Sequence, residues 1–233
     1  ARRWLKRNKQ TTETSLWLEA KLARRNGDLK QAATLMSQVV AMMRKSARVY
    51  TPVEDGNYVM WSEGFSFREA ASGELGSLHL SRAEFINSLA EFLDGNLWPD
   101  ACYVAERVLT VDELKSWVDA HPSPPPAPET TVQSLALVLA RRLVREDRYA
   151  EARSYFDEAQ QKVLDSYTTA LTKGANEKLT KKERARAWFD AAVIARTSGM
   201  EFMGTEFEPD GAGSGGDFEP TNVAGEREAG IYE

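Results

Sequence analysis

Apolar residues return at three- and four-residue spacing along most of this chain, which is the pattern of amphipathic helices rather than strands. Between residues 13 and 47, Leu16, Ala20 and Ala23 mark one helical face and Asn26, Gly27 and Asp28 make a turn. Leu29, Ala32, Met36, Val39 and Val40 then mark a second face. Asp28 with Gln31 reads as a capping box at the start of that second helix. The pattern predicts a helical hairpin.

The same spacing predicts further helices. Residues 69 to 95 form a second hairpin, with Leu75 and Gly76 in its first helix and Phe85, Ser88 and Phe92 in its second. Gly76 reads as a packing glycine, tolerated because a bulky neighbour needs the room. Trp98 to Leu109 and Val111 to Ala120 form a short pair, the latter opened by the capping box of Thr110 and Glu113. Helices resume at about Thr131, run to Glu146 and continue from Arg148 to about Thr172. A final helix, Lys181 to Ser198, opens on the box of Thr180 and Glu183 and stops at Gly199.

Three segments break the periodicity. Residues 48 to 67 set Pro52, Gly56 and Gly64 among Tyr50, Tyr58, Trp61, Phe65 and Phe67, a long connector expected to lay its aromatics on the adjoining helices. The run from His121 to Pro128 forbids helix by fixing φ and removing donors, which makes a stiff linker. Beyond residue 200, glycines and acids predict a flexible tail. The expected organisation is helical hairpins over 1–120, a Pro-rich linker over 121–130, helices over 131–199 and an acidic tail over 200–233.

The stretch Asp147, Arg148, Tyr149, Ala150, Glu151, Ala152, followed by Phe156 and Ala159, resembles the junction between the two helices of a tetratricopeptide repeat. There an aromatic opens the second helix, a small residue three positions on lets the helices touch, and a large apolar residue fills the gap one turn later. Tyr149, Ala152 and Phe156 supply these, with Ala140 facing Ala152. Leu29, Ala32 and Met36 follow the same order, as do Phe85, Ser88 and Phe92. The neighbouring Sel1-like class shares this pattern. The resemblance implies an all-α fold, a solenoid or α-α superhelix of hairpins with an irregular aromatic connector, and a role in holding a protein or peptide partner.

Charge changes the picture by region. The chain has 30 basic and 35 acidic residues, a net charge of -5, which argues against a general nucleic-acid binder. Residues 200 to 233 hold nine acids against the single base Arg227. The tail therefore carries -8, and the remainder of the -5 total is a mildly basic +3. No apolar run approaches the roughly 18 residues of a membrane span. The N-terminus lacks the apolar core of a signal peptide, so nothing in the sequence assigns a compartment. The chain begins without Met and reads as a piece of a longer product.

Candidate chemistry is sparse. His79 and His121 stand far apart, and both read as structural. Cys102 is the one cysteine, so no intrachain disulfide forms, and its apolar neighbours predict a buried helix position. No phosphate loop, dinucleotide glycine pattern, zinc spacing or nucleophile elbow occurs. The acids between Glu201 and Asp210 match no calcium loop, and Phe202, Met203 and Phe207 among them predict docking on the protein instead. No cofactor or metal is expected.

The resemblance gives the first helix of each hairpin a meaning, since that helix lines the inner face of such an array. Helical spacing on the side away from the hairpin contact selects Trp17, Lys21, Arg24 and Arg25, then Arg141 and Arg145, then Arg186, Phe189 and Arg196. Arginines give carboxylates bidentate contacts, while Trp17 and Phe189 offer apolar anchors. The expected function is a non-enzymatic scaffold holding an acidic or extended partner segment on a basic concave face. The alternative is a regulatory or substrate-binding domain of a larger enzyme or of a secretion or assembly system. The Asn residues that clamp a terminal carboxylate in some members of this class are absent from these helices.

Overall fold

A computed structural model describes residues 2–7, 10–45, 67–122 and 134–205. The aromatic connector up to residue 66, the proline run from Ser123 and the acidic tail beyond Thr205 lie outside the described residues. Within them every regular element is helical, eleven α-helices in all, with most of the packing between helices adjacent in the chain. The chain divides into two compact units, residues 1–109 and 110–233.

The first unit contains α1 (Arg2–Arg7), α2 (Glu13–Arg25), α3 (Leu29–Lys45), α4 (Phe67–Ser81), α5 (Phe85–Asp94) and α6 (Trp98–Tyr103), the last continuing as a π-turn over Val104–Val108. Helix α2 starts on a capping box in which Thr12 and Ser15 each accept the other's main-chain N–H. At α3 the expected box is half formed, with Asp28 accepting from the Gln31 N–H at 2.9 Å. Leu16, Ala20, Ala32, Met36, Val39, Val40, Ala71, Leu75 and Leu78 form one core between α2, α3 and α4.

The second unit contains α7 (Val111–Ala120), α8 (Leu135–Arg145), α9 (Tyr149–Ala152) with a 3-10 turn over Arg153–Tyr155, α10 (Glu158–Ala175) and α11 (Lys181–Met203). Thr110 with Glu113 and Thr180 with Glu183 form the two capping boxes that open α7 and α11. Edge-to-face contacts of Tyr167 with Tyr149 at 6.2 Å and with Phe202 at 5.2 Å join α9, α10 and α11.

Four helices end in the same way. After α2, α4, α5 and α8, Gly27, Ala83, Asn96 and Asp147 take positive φ between 55° and 81°. The N–H of each following residue, Asp28, Glu84, Leu97 and Arg148, returns to the carbonyl of Ala23, His79, Phe92 or Leu143. The left-handed residues' own N–H groups reach Arg24, Leu80, Leu93 and Val144, all at 2.8 to 3.1 Å. These are Schellman endings, which satisfy orphan carbonyls and reverse the chain at once. Leu29, Phe85, Trp98 and Tyr149 then open the next helix. Three positions on, Ala32, Ser88, Ala101 and Ala152 are all fully buried, and four further on so are Met36, Phe92, Ala105 and Phe156.

Three helix boundaries differ from the expectation. Phe67, expected to close the connector and lie on the adjoining helices, instead opens α4 with its ring exposed. The helix expected from Arg148 to about Thr172 is broken at Phe156, whose ψ of 151° is extended. Asp157 then restarts it, accepting from the Gln160 N–H at 2.7 Å. Breaking there lets Phe156 turn inward and be buried. The last helix does not stop at Gly199 but runs through it to Met203 and ends at Gly204. The extra turn brings Phe202 to complete burial against Tyr167, worth roughly 1.5–3 kcal/mol by apolar area.

Candidate functional site

Glu13, Thr14, Trp17, Leu18 and Lys21 lie three or four residues apart and so share one side of α2. With Met43 from the end of α3 and Phe67 from the start of α4 they line an open groove of about 590 Å³. Its walls are mainly apolar side chains, and Phe67 is 79% exposed at its rim. A large aromatic left uncovered beside a concave apolar surface is the ordinary composition of a binding cleft.

One end of the groove is held by a three-residue cluster. The Trp17 indole N–H donates to one oxygen of Glu74 on α4 at 2.9 Å, and the Lys21 ammonium meets the other at 2.9 Å. Lys21 also lies over the Trp17 ring, 5.5 Å from its centre. The carboxylate that Lys21 was expected to take from a partner is thus matched within the chain by Glu74, which also engages the indole N–H of Trp17, the expected apolar anchor. Both ionic partners keep substantial exposure, so the pair orients the wall more than it stabilises the fold. Arg24 and Arg25 continue the same side of α2 one turn later, exposed to solvent.

In the second unit the expected residues separate into two groups. The Arg141 Nε donates to the Glu201 carbonyl at 3.0 Å, and the Arg145 guanidinium donates to the carbonyls of Met203 and Gly204. These carbonyls lie at the C-terminal end of α11, where the helix's negative dipole points outward. Both arginines therefore cap a helix C-terminus. Arg186, Phe189 and Arg196 lie on the outward side of α11, with Arg186 paired to Asp190 at 3.0 Å and stacked 5.4 Å over Phe189.

Glu13, Thr14, Leu18, Met43 and Phe67 of the groove lining, and Glu74 that anchors Trp17 and Lys21, were not selected from the sequence. Leu18 was within reach of helical spacing, one residue from Trp17. Glu74 was not, because its role depends on α4 coming beside α2, 57 positions apart in the chain.

The histidines have structural surroundings. His79 contacts Glu84 at 2.6 Å beside the turn after α4, and the His121 ring stacks 4.0 Å from Trp117 at the end of α7. The perturbed carboxylates are not among the residues that line the groove. His79 and Arg82 hold Glu84 below its ordinary range. Burial pushes Asp94 upward, but hydrogen bonds from Arg68 and Arg44 outweigh it and leave Asp94 lowered. Lys115 and Tyr155 lower Asp119 in the same manner. Each is an ion pair or hydrogen bond joining neighbouring turns or helices.

Among the described residues no helix is long and apolar enough to cross a membrane. Compared with protein-family models, curated proteins and solved structures, the chain matches none.

Proposed function

We propose that this chain is a non-enzymatic interaction scaffold, an array of tetratricopeptide-like hairpins that holds an extended segment of a protein partner. The observation that carries this reading is the open groove on α2, where Trp17, Leu18, Met43 and Phe67 offer an apolar socket of about 590 Å³. Arg24 and Arg25, exposed one turn beyond it, favour acidic residues next to the anchoring side chain. A socket for one or two apolar anchors beside a basic rim suits short segments better than folded surfaces.

The recurrent hairpin register supports the scaffold reading. The same small and large residues are buried at the same spacing after three Schellman turns, so the helices are held by regular packing and their outer faces are left for recognition. Arg141 and Arg145 take no part in this reading, since capping α11 occupies them.

The test is a peptide library of extended segments carrying one Phe, Leu or Trp among acids, screened against the full chain. Binders should shift the methyl signals of Met43 and Leu18, and Leu18→Asp should abolish both shift and affinity while circular dichroism stays unchanged. Binding that survives Leu18→Asp and Phe67→Ser together would remove the groove from the mechanism.

A further inference from the structure

The outward side of α11 carries a second apolar stripe. Phe189, Val193, Arg196 and Met200 lie four, three and four residues apart and so project from one face of the helix. Phe189 is 58%, Val193 41% and Met200 51% exposed. Arg186 stands over Phe189, and Arg196 is exposed within the stripe. The Arg186–Asp190 pair is largely exposed on both sides, so a competing carboxylate displaces it at small cost. A face of this composition suits a phenyl ring flanked by two carboxylates.

That chemistry is written twice in the residues that follow α11. Glu206, Phe207, Glu208, Pro209 and Asp217, Phe218, Glu219, Pro220 are two copies of one motif, acid–Phe–acid–Pro, eleven positions apart. Residues 206 to 233 hold eight acids against Arg227 alone, a net charge of -7. Helix α11 holds five bases against three acids. We propose that residues 206–220 dock back on the outward face of α11, each Phe seated on the Phe189, Val193 and Met200 stripe with its flanking carboxylates toward Arg186 and Arg196.

The reach is short. From Met200 back to Phe189 the helix spans about 16 Å at 1.5 Å per residue, a distance that an extended chain covers in about five residues. Covalent attachment at Thr205 raises the local concentration of both motifs, so a weak contact is populated without a second molecule. The proline closing each motif cannot donate a main-chain hydrogen bond and holds its φ near that of an extended chain, which leaves recognition to the Phe and its acids. This contact lies in the second unit and is independent of the α2 groove.

The full chain with Ser214→Cys tests it, because Cys102 is buried and a nitroxide reagent then marks one position between the motifs. The methyl signals of Val193 and Met200 should lose intensity relative to buried Val138. Phe207→Ser with Phe218→Ser should restore them, and about 1 M salt, where screening acts within about 3 Å, should weaken the loss. No loss in the parent, or an equal loss in the Phe variant, overturns the proposal. Loss carried from a spin-labelled chain to a separate isotope-labelled one overturns it too, in favour of a second copy on this face.

Discussion

The Ser88 hydroxyl donates a 2.9 Å hydrogen bond to the main-chain carbonyl of Gly76, twelve residues earlier on the facing helix. That contact needs α4 and α5 to touch backbone to side chain, and the missing Cβ of Gly76 is what permits it. A Cβ there would come within 2.6 Å of the Phe92 ring. Small residue, small residue and large filler thus form one interlocked unit, and Ala140, Ala152 and Phe156 occupy the corresponding buried positions in the second unit.

Gly76→Ala should therefore lower stability by roughly 1–3 kcal/mol, the usual cost of overpacking a close helix contact. A urea midpoint reports it. Adding Phe92→Leu should recover part of the loss, because the ring is the group that the new methyl meets. No recovery would mean that α4 moves as a whole rather than against Phe92.

Ala83 ends α4 with φ of 58°, a conformation that costs an L-residue with a Cβ about 1 kcal/mol relative to glycine. Ala83→Gly should raise stability by roughly 0.5–1 kcal/mol, the strain relief exceeding the added freedom of the unfolded chain. The thermal midpoint should rise. A fall would show that chain entropy dominates at this turn.

Arg141→Ala with Arg145→Ala should free the end of α11, since the carbonyls of Glu201, Met203 and Gly204 lose their charged donors. The expected loss is roughly 1–3 kcal/mol, the range for hydrogen bonds made by charged groups. Amide hydrogen exchange should quicken first at Met200 to Met203, before the middle of the helix. Uniform quickening along α11 would place the effect elsewhere.

Acid should weaken the first unit. Glu84 and Asp94 have folded pKa values below their ordinary 4.5 and 3.8, so their contribution is present above those values and is lost as pH falls through the lower folded ones. Urea midpoints followed from about pH 6 to about pH 3 should decline. Asp94→Asn with Glu84→Gln should flatten that decline while lowering the midpoint at neutral pH. A decline equally steep in the double variant would assign acid sensitivity to other carboxylates.

What the sequence by itself determined here is what short-range physics encodes. The box residues Thr110 with Glu113 and Thr180 with Glu183 meet across one helical turn, and the burial of Ala32, Ser88 and Ala152 follows from spacing within a hairpin. The break at Asp157 was encoded just as locally, by Asp157 and Gln160, but the aromatic, small, large order through Phe156 suits an unbroken helix equally well.

Tertiary structure alone decided how the charged side chains are used. Arg141 and Arg145 look on the sequence like Arg186 and Arg196, basic residues on a helix side. The fold places the end of α11 against the first pair, so that Arg145 meets Gly204 across 59 positions. Likewise Glu74 reaches Trp17 across 57, so that an expected apolar anchor and its basic neighbour Lys21 are tied within the chain as one wall of a groove. Helical periodicity says which way a side chain points. Which carbonyl or carboxylate waits there depends on packing between helices distant in the chain, because a guanidinium's hydrogen-bond capacity is filled by whichever acceptor the fold brings nearest.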